Sequence, residues 1–255
     1  MTLRLAHLSD LHFGEAGAEA IASLGAALRD AAPDAVLVSG DLTRRARSAE
    51  FAAAAGFLGG FDVPVLAVPG NHDIPRTDLW TRFLRPLAPW QKFHGLDREP
   101  ELECGDVVVL GLDTVQRAHW HMDWSAGGLS QRRLDRLAAR LATYRGRRII
   151  VLCHHPLRHP AWAIGREPAF GAGAAVALLR DAGALAILCG HLHRADAPDE
   201  GAGAPLQFIA PSALSPRTKG SPNGWNLVTI DAAGLRVETQ WLHPPVTASA
   251  PPASA

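Results

Sequence analysis

Short apolar runs alternate with longer Ala- and Leu-rich stretches along the front of the chain. The runs at residues 3–8, 35–38, 63–68, 107–112, 148–153 and 185–189 are rich in Val, Leu and Ile and too short for helices, which predicts buried strands. Stretches 18–31, 49–58, 78–84, 130–144 and 173–181 predict helices; within 130–144, Leu134, Leu137 and Leu141 recur at helical spacing. After residue 189 the helices stop. Residues 206–209, 225–230 and 235–241 predict three further strands, with turns at Asn223-Gly224 and Ala233-Gly234. The pattern is therefore α/β at the front and a β meander at the end. The last residues from Pro244, "PPVTASAPPASA", are Pro/Ala/Ser-rich and expected to be disordered, which leaves 1–243 as a single domain.

Five of the predicted strands end in the same kind of residue. Ser9, Asp10, Leu11 and His12 follow the first, Gly40 and Asp41 the second, and Gly70, Asn71, His72 and Asp73 the third. His154 and His155 follow the strand at 148–153, and Gly190, His191, Leu192 and His193 follow that at 185–189. Open α/β sheets bind ligands beyond the carboxyl ends of their strands, so these side chains are expected on one rim. Each group alone reads as a turn, a helix cap or a structural histidine; five together predict a metal site. Asp10 and His12 are two apart, as are His191 and His193. In extended backbone that spacing points both members of a pair the same way.

Asp10, His12, Asp41, Asn71, His154, His191 and His193 are the candidate ligands, more than the four of one tetrahedral ion. They divide between two ions if a carboxylate is shared. Mixed nitrogen and oxygen donors without thiolate favour Mn, Fe, Co or Zn. Two such ions about 3.5–4 Å apart clamp a phosphoryl group during displacement. The amide of Asn71 fits this chemistry. With two divalent ions, two aspartates and a bridging hydroxide, one net positive charge remains to attract a phosphodiester, and a third carboxylate would cancel it.

Composition narrows the partners. Lys+Arg and Asp+Glu are both 25 among 255 residues, so no basic excess points to nucleic acid. The arginines of 44–47 and 145–148 read as solvated faces. Three cysteines form no even disulfide framework, and Cys153 and Cys189 lie in apolar runs, which suits a reducing compartment. The start "MTLRLAHLSD" has no signal-peptide h-region and no stretch is long enough to span a membrane, so the cytoplasm is expected. No Gly-rich nucleotide loop or serine elbow is present to support other chemistry.

In order, "DLH", "GDL", "GNHD", "CHHP" and "GHLH" span Asp10 to His193. This set resembles the calcineurin-like metallophosphoesterase superfamily, and most closely the bacterial class III cyclic-nucleotide phosphodiesterase group. The resemblance implies a four-layer α/β/β/α sandwich. It assigns Asp10, His12 and His193 to one ion, Asn71, His154 and His191 to the other, and Asp41 as the bridge. At "HHP" the family pattern favours His154 as ligand, with His155 as the fallback or a substrate-facing group. His72 is implied as the catalytic non-ligand histidine, an imidazolium stabilising the departing alkoxide, with Asp73 orienting it or capping a helix.

The implied reaction is hydrolysis of a small phosphodiester, such as a 3′,5′-cyclic nucleotide or a glycerophosphodiester, by a metal-activated hydroxide. Hydrolysis of a nucleotide-linked pyrophosphate or a phosphomonoester on the same core, and a non-enzymatic metal-binding role, are the competing readings. In segment 113–128, Arg117, His119, Trp120, His121 and Trp124 fit either a substrate wall or a homodimer contact. Trp80, Trp90, Phe83 and Phe93 read as core or interface.

Overall fold

The computed structural model describes residues 2–95, 97–116, 125–163, 168–198, 203, 205–217 and 220–242. The tail from residue 244 and positions 117–124, with Arg117, His119, Trp120, His121 and Trp124, lie outside them.

Two five-stranded sheets form the centre. The first has the order β10-β9-β1-β2-β3, from β1 (Leu3–Leu8), β2 (Ala35–Val38), β3 (Val65–Ala67), β9 (Gly224–Asp231) and β10 (Gly234–Trp241). The second has the order β4-β5-β6-β7-β8, from β4 (Glu101–Cys104), β5 (Val107–Leu112), β6 (Arg148–Cys153), β7 (Ala186–Cys189) and β8 (Leu206–Ile209). β1, β2 and β3 run parallel in one sheet, and β5 to β8 in the other.

Alternation within the apolar strands assigns their faces. Leu5, Leu37, Val107, Val109, Ile150, Leu152 and Leu188 meet in one buried cluster between the sheets. Ala6, Leu8, Val36 and Val38 face outward against α1 (Ala18–Ala31), α2 (Ser48–Leu58) and the Trp90 region. Ile149, Val151, Ile187 and Cys189 face outward against α5 (Gln131–Thr143) and α6 (Ala172–Asp181). Burial on both faces explains why these strands read as continuous apolar runs. The result is the four-layer α/β/β/α sandwich. Leu134, Leu137 and Leu141 are the buried stripe of α5, as their spacing predicts.

The terminal meander does not form. β8 joins the second sheet parallel to β7, whereas β9 and β10 complete the first as an antiparallel hairpin turning at Ala233-Gly234. Asn223-Gly224 is no hairpin turn: Gly224 already pairs with Trp241 at the start of β9. Two elements were not legible. β4 is an edge strand with Glu101 and Glu103 on one side, so it lacks an apolar run; glycine-first Gly105-Asp106 turns it back into β5. α4 (Ala88–His94) carries Pro89 in its first turn, where no backbone N–H is needed. The remaining helix, α3 (Leu79–Leu84), is capped by Asp78, whose carboxylate accepts from the Thr81 N–H at 3.0 Å.

Candidate metal centre

The loops after β1 and β2 run side by side. Asp10 and His12 donate their N–H groups to the Gly40 and Asp41 carbonyls at 3.1 and 3.0 Å. The backbone there is not extended. Of the non-glycine residues with positive φ, five are candidate ligands: Asp10 (52°), His12 (45°), Asp41 (53°), His191 (70°) and His193 (59°). Such conformations are costly and cluster at functional sites. The expected same-side geometry of Asp10 and His12 thus arises from paired left-handed turns. His191 and His193 go different ways, each into a separate group.

Glycines make the crowding possible. A Cβ on Gly70 would lie 2.2 Å from Asp41 Oδ1, and one on Gly190 would lie 1.7 Å from Ser9 Oγ. Gly40 needs both space beside His154 Nδ1 and its φ of 90°.

Asp10, His12, Asp41 and His193 form the first group, with one donor atom from each lying within 4.8 Å of the others. Asp10 Oδ2 accepts from Ser9 Oγ at 2.6 Å and the His191 N–H at 2.9 Å. Its Oδ1 is buried without a hydrogen bond and faces His193 Nε2 at 3.0 Å and His12 Nε2 at 3.6 Å. His193 donates Nδ1–H to the Arg217 carbonyl at 3.0 Å, which aims Nε2 inward. Burial pushes the His12 pKa down, but the nearby Asp10 and Asp41 carboxylates outweigh that and raise it. The point where these atoms meet favours positive charge, which a bound cation would supply.

In the second group, Asn71 Oδ1 lies 3.0 Å from His154 Nε2 and 3.1 Å from His191 Nδ1. His154 donates Nδ1–H to the Ser39 carbonyl at 2.7 Å, which aims Nε2 at the group. Burial opposes its charge, yet Asp41 holds the His154 pKa up at about 9. His191 is held well below its ordinary value by burial and the adjacent His155 and His154. Asp41 stands between the groups: its Oδ2 is 3.8 Å from His12 Nε2 and 3.5 Å from His154 Nε2. Its Oδ1 accepts the His72 N–H at 2.7 Å.

His155 packs beside His154 and His191, but both its nitrogens are engaged. Thr114 Oγ1 meets Nδ1 and the Ser125 carbonyl accepts from Nε2, each at 2.8 Å. Burial lowers its pKa to about 3, so it is a neutral strut. Asp73 does not touch the His72 ring. Its buried carboxylate accepts from the Gly70, Leu42 and Thr43 N–H groups and the Thr43 hydroxyl, capping the Asn71–Asp73 3-10 turn and tying it to the loop after β2.

The His72 ring meets the His12 ring edge-on at 4.8 Å. Its Nδ1 lies 2.9 Å from the Arg44 carbonyl and 3.1 Å from Arg44 Nη1. Burial lowers its pKa, so the imidazolium expected from sequence is disfavoured. Arg44 is no solvated surface residue. It is largely buried and paired with Glu15 at 2.5 Å, and Glu15 also meets Arg217 at 3.3 Å. Ser9, Ser39, Arg44 and Glu15 all support the centre and were not singled out from sequence. Arg44 and Glu15 come together only through the parallel loops, although Ser9 and Ser39 were readable as polar residues next to Asp10 and Gly40.

The calcineurin-like phosphoesterase profile matches residues 3–195. The glycerophosphodiester phosphodiesterase GpdQ of Enterobacter lignolyticus is 30% identical over 164 residues, 60% of this chain and 56% of that protein. The probable GpdQ of Arcobacter nitrofigilis is 28% identical over 170 residues, 64% and 57%. The chain thus spans a little over half the length of these curated relatives. Among solved structures, a dimetal phosphatase from Danio rerio superposes with a TM-score of 0.69 at 15% identity, covering 94% of this chain and 96% of that one. The purple acid phosphatase PPD1 of yellow lupin gives 0.64 at 13%, covering 94% and 52%. At these identities the structural likeness shows the fold.

Proposed function

Because the chain belongs to the calcineurin-like phosphoesterase family, we propose that it is a dinuclear-metal phosphodiesterase acting on small diesters, glycerophosphodiesters and 3′,5′-cyclic nucleotides among them. The observation that carries this reading is the place of Asp41 Oδ2 between His12 and His154, one donor shared by two groups. Asp10, His12 and His193 would hold one ion, Asn71, His154 and His191 the other, and Asp41 both. When bound, two divalent ions from the set Mn, Fe, Zn and Co supply charge to the phosphoryl oxygens and acidify a water. The neutral Asn71 keeps the centre cationic toward an anionic diester.

The protein's own part beyond ligation falls to Asp41 and His72. Asp41 anchors the His72 backbone through Oδ1. With Nδ1 held by Arg44, the Nε2 of His72 is the nitrogen left for the leaving alkoxide. The Arg44 carbonyl at 2.9 Å accepts Nδ1–H, so the neutral ring presents a bare Nε2, and it donates to the alkoxide only when it takes up a proton. The two buried cysteines and Cys104 are free thiols, which supports a reducing, cytoplasmic setting. Among the described residues no helix is long and apolar enough to cross a membrane.

The test is metal analysis and turnover of manganese-reconstituted protein on bis-p-nitrophenyl phosphate, p-nitrophenyl phosphate, cyclic AMP and a glycerophosphodiester. Diester turnover with two ions per chain is expected. Turnover of the monoester alone, or two ions with no turnover at all, refutes the reading.

A further inference from the structure

The short helix α3 shows its apolar side to water. Leu79, Trp80, Phe83 and Leu84 are 51%, 77%, 45% and 56% exposed. Positions 79 and 83, and 80 and 84, are four apart, so the four side chains share an arc of about 140°. Arg82 is 3% exposed instead, and its Nη1 donates to the Pro75 carbonyl at 3.3 Å. Single exposed apolar residues need no explanation, but a contiguous patch marks an interaction surface.

The charge around the patch indicates its occupant. Residues 75–95 carry Arg76, Arg82, Arg85 and Lys92 against Asp78 alone, in a chain whose net charge is zero. The Asp78 carboxylate is engaged by the Thr81 N–H and hydroxyl. Arg76 and Arg85, three residues before the helix and one after it, are exposed. A tryptophan-bearing apolar face rimmed with arginine matches an anionic lipid surface. A second copy of the same face would set arginine against arginine across a twofold axis, which is repulsive. The helix leaves the Asn71–Asp73 turn through buried Ile74 and Pro75, which puts it within a few residues of the metal centre.

We propose that α3 is a peripheral docking element that seats the rim of the metal centre on an anionic lipid surface. Phospholipid headgroups and their deacylated products contain the bond class proposed above. That consequence rests on the phosphodiesterase reading; the docking does not.

The test is co-sedimentation of the full chain with vesicles of mixed phosphatidylglycerol and phosphatidylcholine, and with vesicles of phosphatidylcholine alone. Binding to the anionic vesicles is expected, falling about tenfold in a Trp80→Ser/Phe83→Ser double variant and severalfold in Arg76→Gln/Arg85→Gln or at high salt. Both variants should keep the wild-type circular dichroism spectrum and thermal midpoint, which shows them folded. Absence of vesicle binding by the wild type, or equal binding by the double variant, overturns the proposal. So does a wild-type dimer that the double variant converts to monomer in light scattering. Because binding is read without turnover, failure here leaves the phosphodiesterase reading standing, and the reverse also holds.

Discussion

The two halves of the centre differ in charge far more than in shape. Asp10, His12, Asp41 and His193 set two carboxylates among imidazoles, and both carboxyl groups are held far below their usual range despite burial. Asn71, His154 and His191 bring no carboxylate of their own, and negative charge reaches them only through the oxygen of Asp41. Coulomb attraction to a dication favours the first half strongly at these distances. Similar strand-end loops in one fold thus make a tight seat and a looser one. An ion in the looser seat would keep more of its charge for an anionic ligand.

The largest break in that contrast should come from Asp41→Asn. It removes the negative charge that both groups share, so metal content should fall from two ions to one or none. Turnover should fall by more than the roughly 10–100-fold that loss of an outer partner costs. Elemental analysis of dialysed protein beside a bis-p-nitrophenyl phosphate assay checks both. Next come His193→Ala and His191→Ala, which separate the seats. Loss of His193 should empty the first seat, whereas His191→Ala should keep one ion after dialysis and lose the other. Equal retention by the two variants would erase the distinction drawn here.

Asn71→Asp should sharpen it from the other side. A third carboxylate strengthens the second seat, so both ions should stay bound while inorganic phosphate inhibits about tenfold less well. The smallest effect lies beneath the first seat. His7 on β1 is fully buried, hydrogen-bonded through Nε2 to Ser39 Oγ at 2.9 Å, and burial lowers its pKa to about 3. Its folded value lies below its unfolded value of 6.5, so the unfolded chain takes up the proton first as pH falls. Its contribution is complete above pH 6.5 and is lost toward pH 3, about 2 kcal/mol of it between pH 7 and pH 5. Urea titrations of metal-free protein at both pH values, with and without His7→Gln, measure it.

Much of this centre was readable before any coordinates. Polar residues closing one apolar strand after another are a local signal, and the requirement of metals for carboxylate, imidazole and amide donors makes the residue types themselves informative. Strands buried on both faces announce themselves as unbroken Val, Ile and Leu runs. The weak places are those without such a run. β4 alternates glutamate with Leu102 and Cys104, and α4 starts among prolines.

From the order of residues alone came the seven candidate donors, the strands that carry them and the layered α/β architecture, because each depends on contacts within a few positions. Tertiary structure alone decided that β8 leaves β9 for the other sheet, that Arg44 turns inward to His72, that His155 is bound on both nitrogens, and that α3 faces water with its apolar side. Those outcomes depend on which distant segments compete for the same backbone groups, charges and buried area. That competition is settled only when the whole chain has closed around its two sheets.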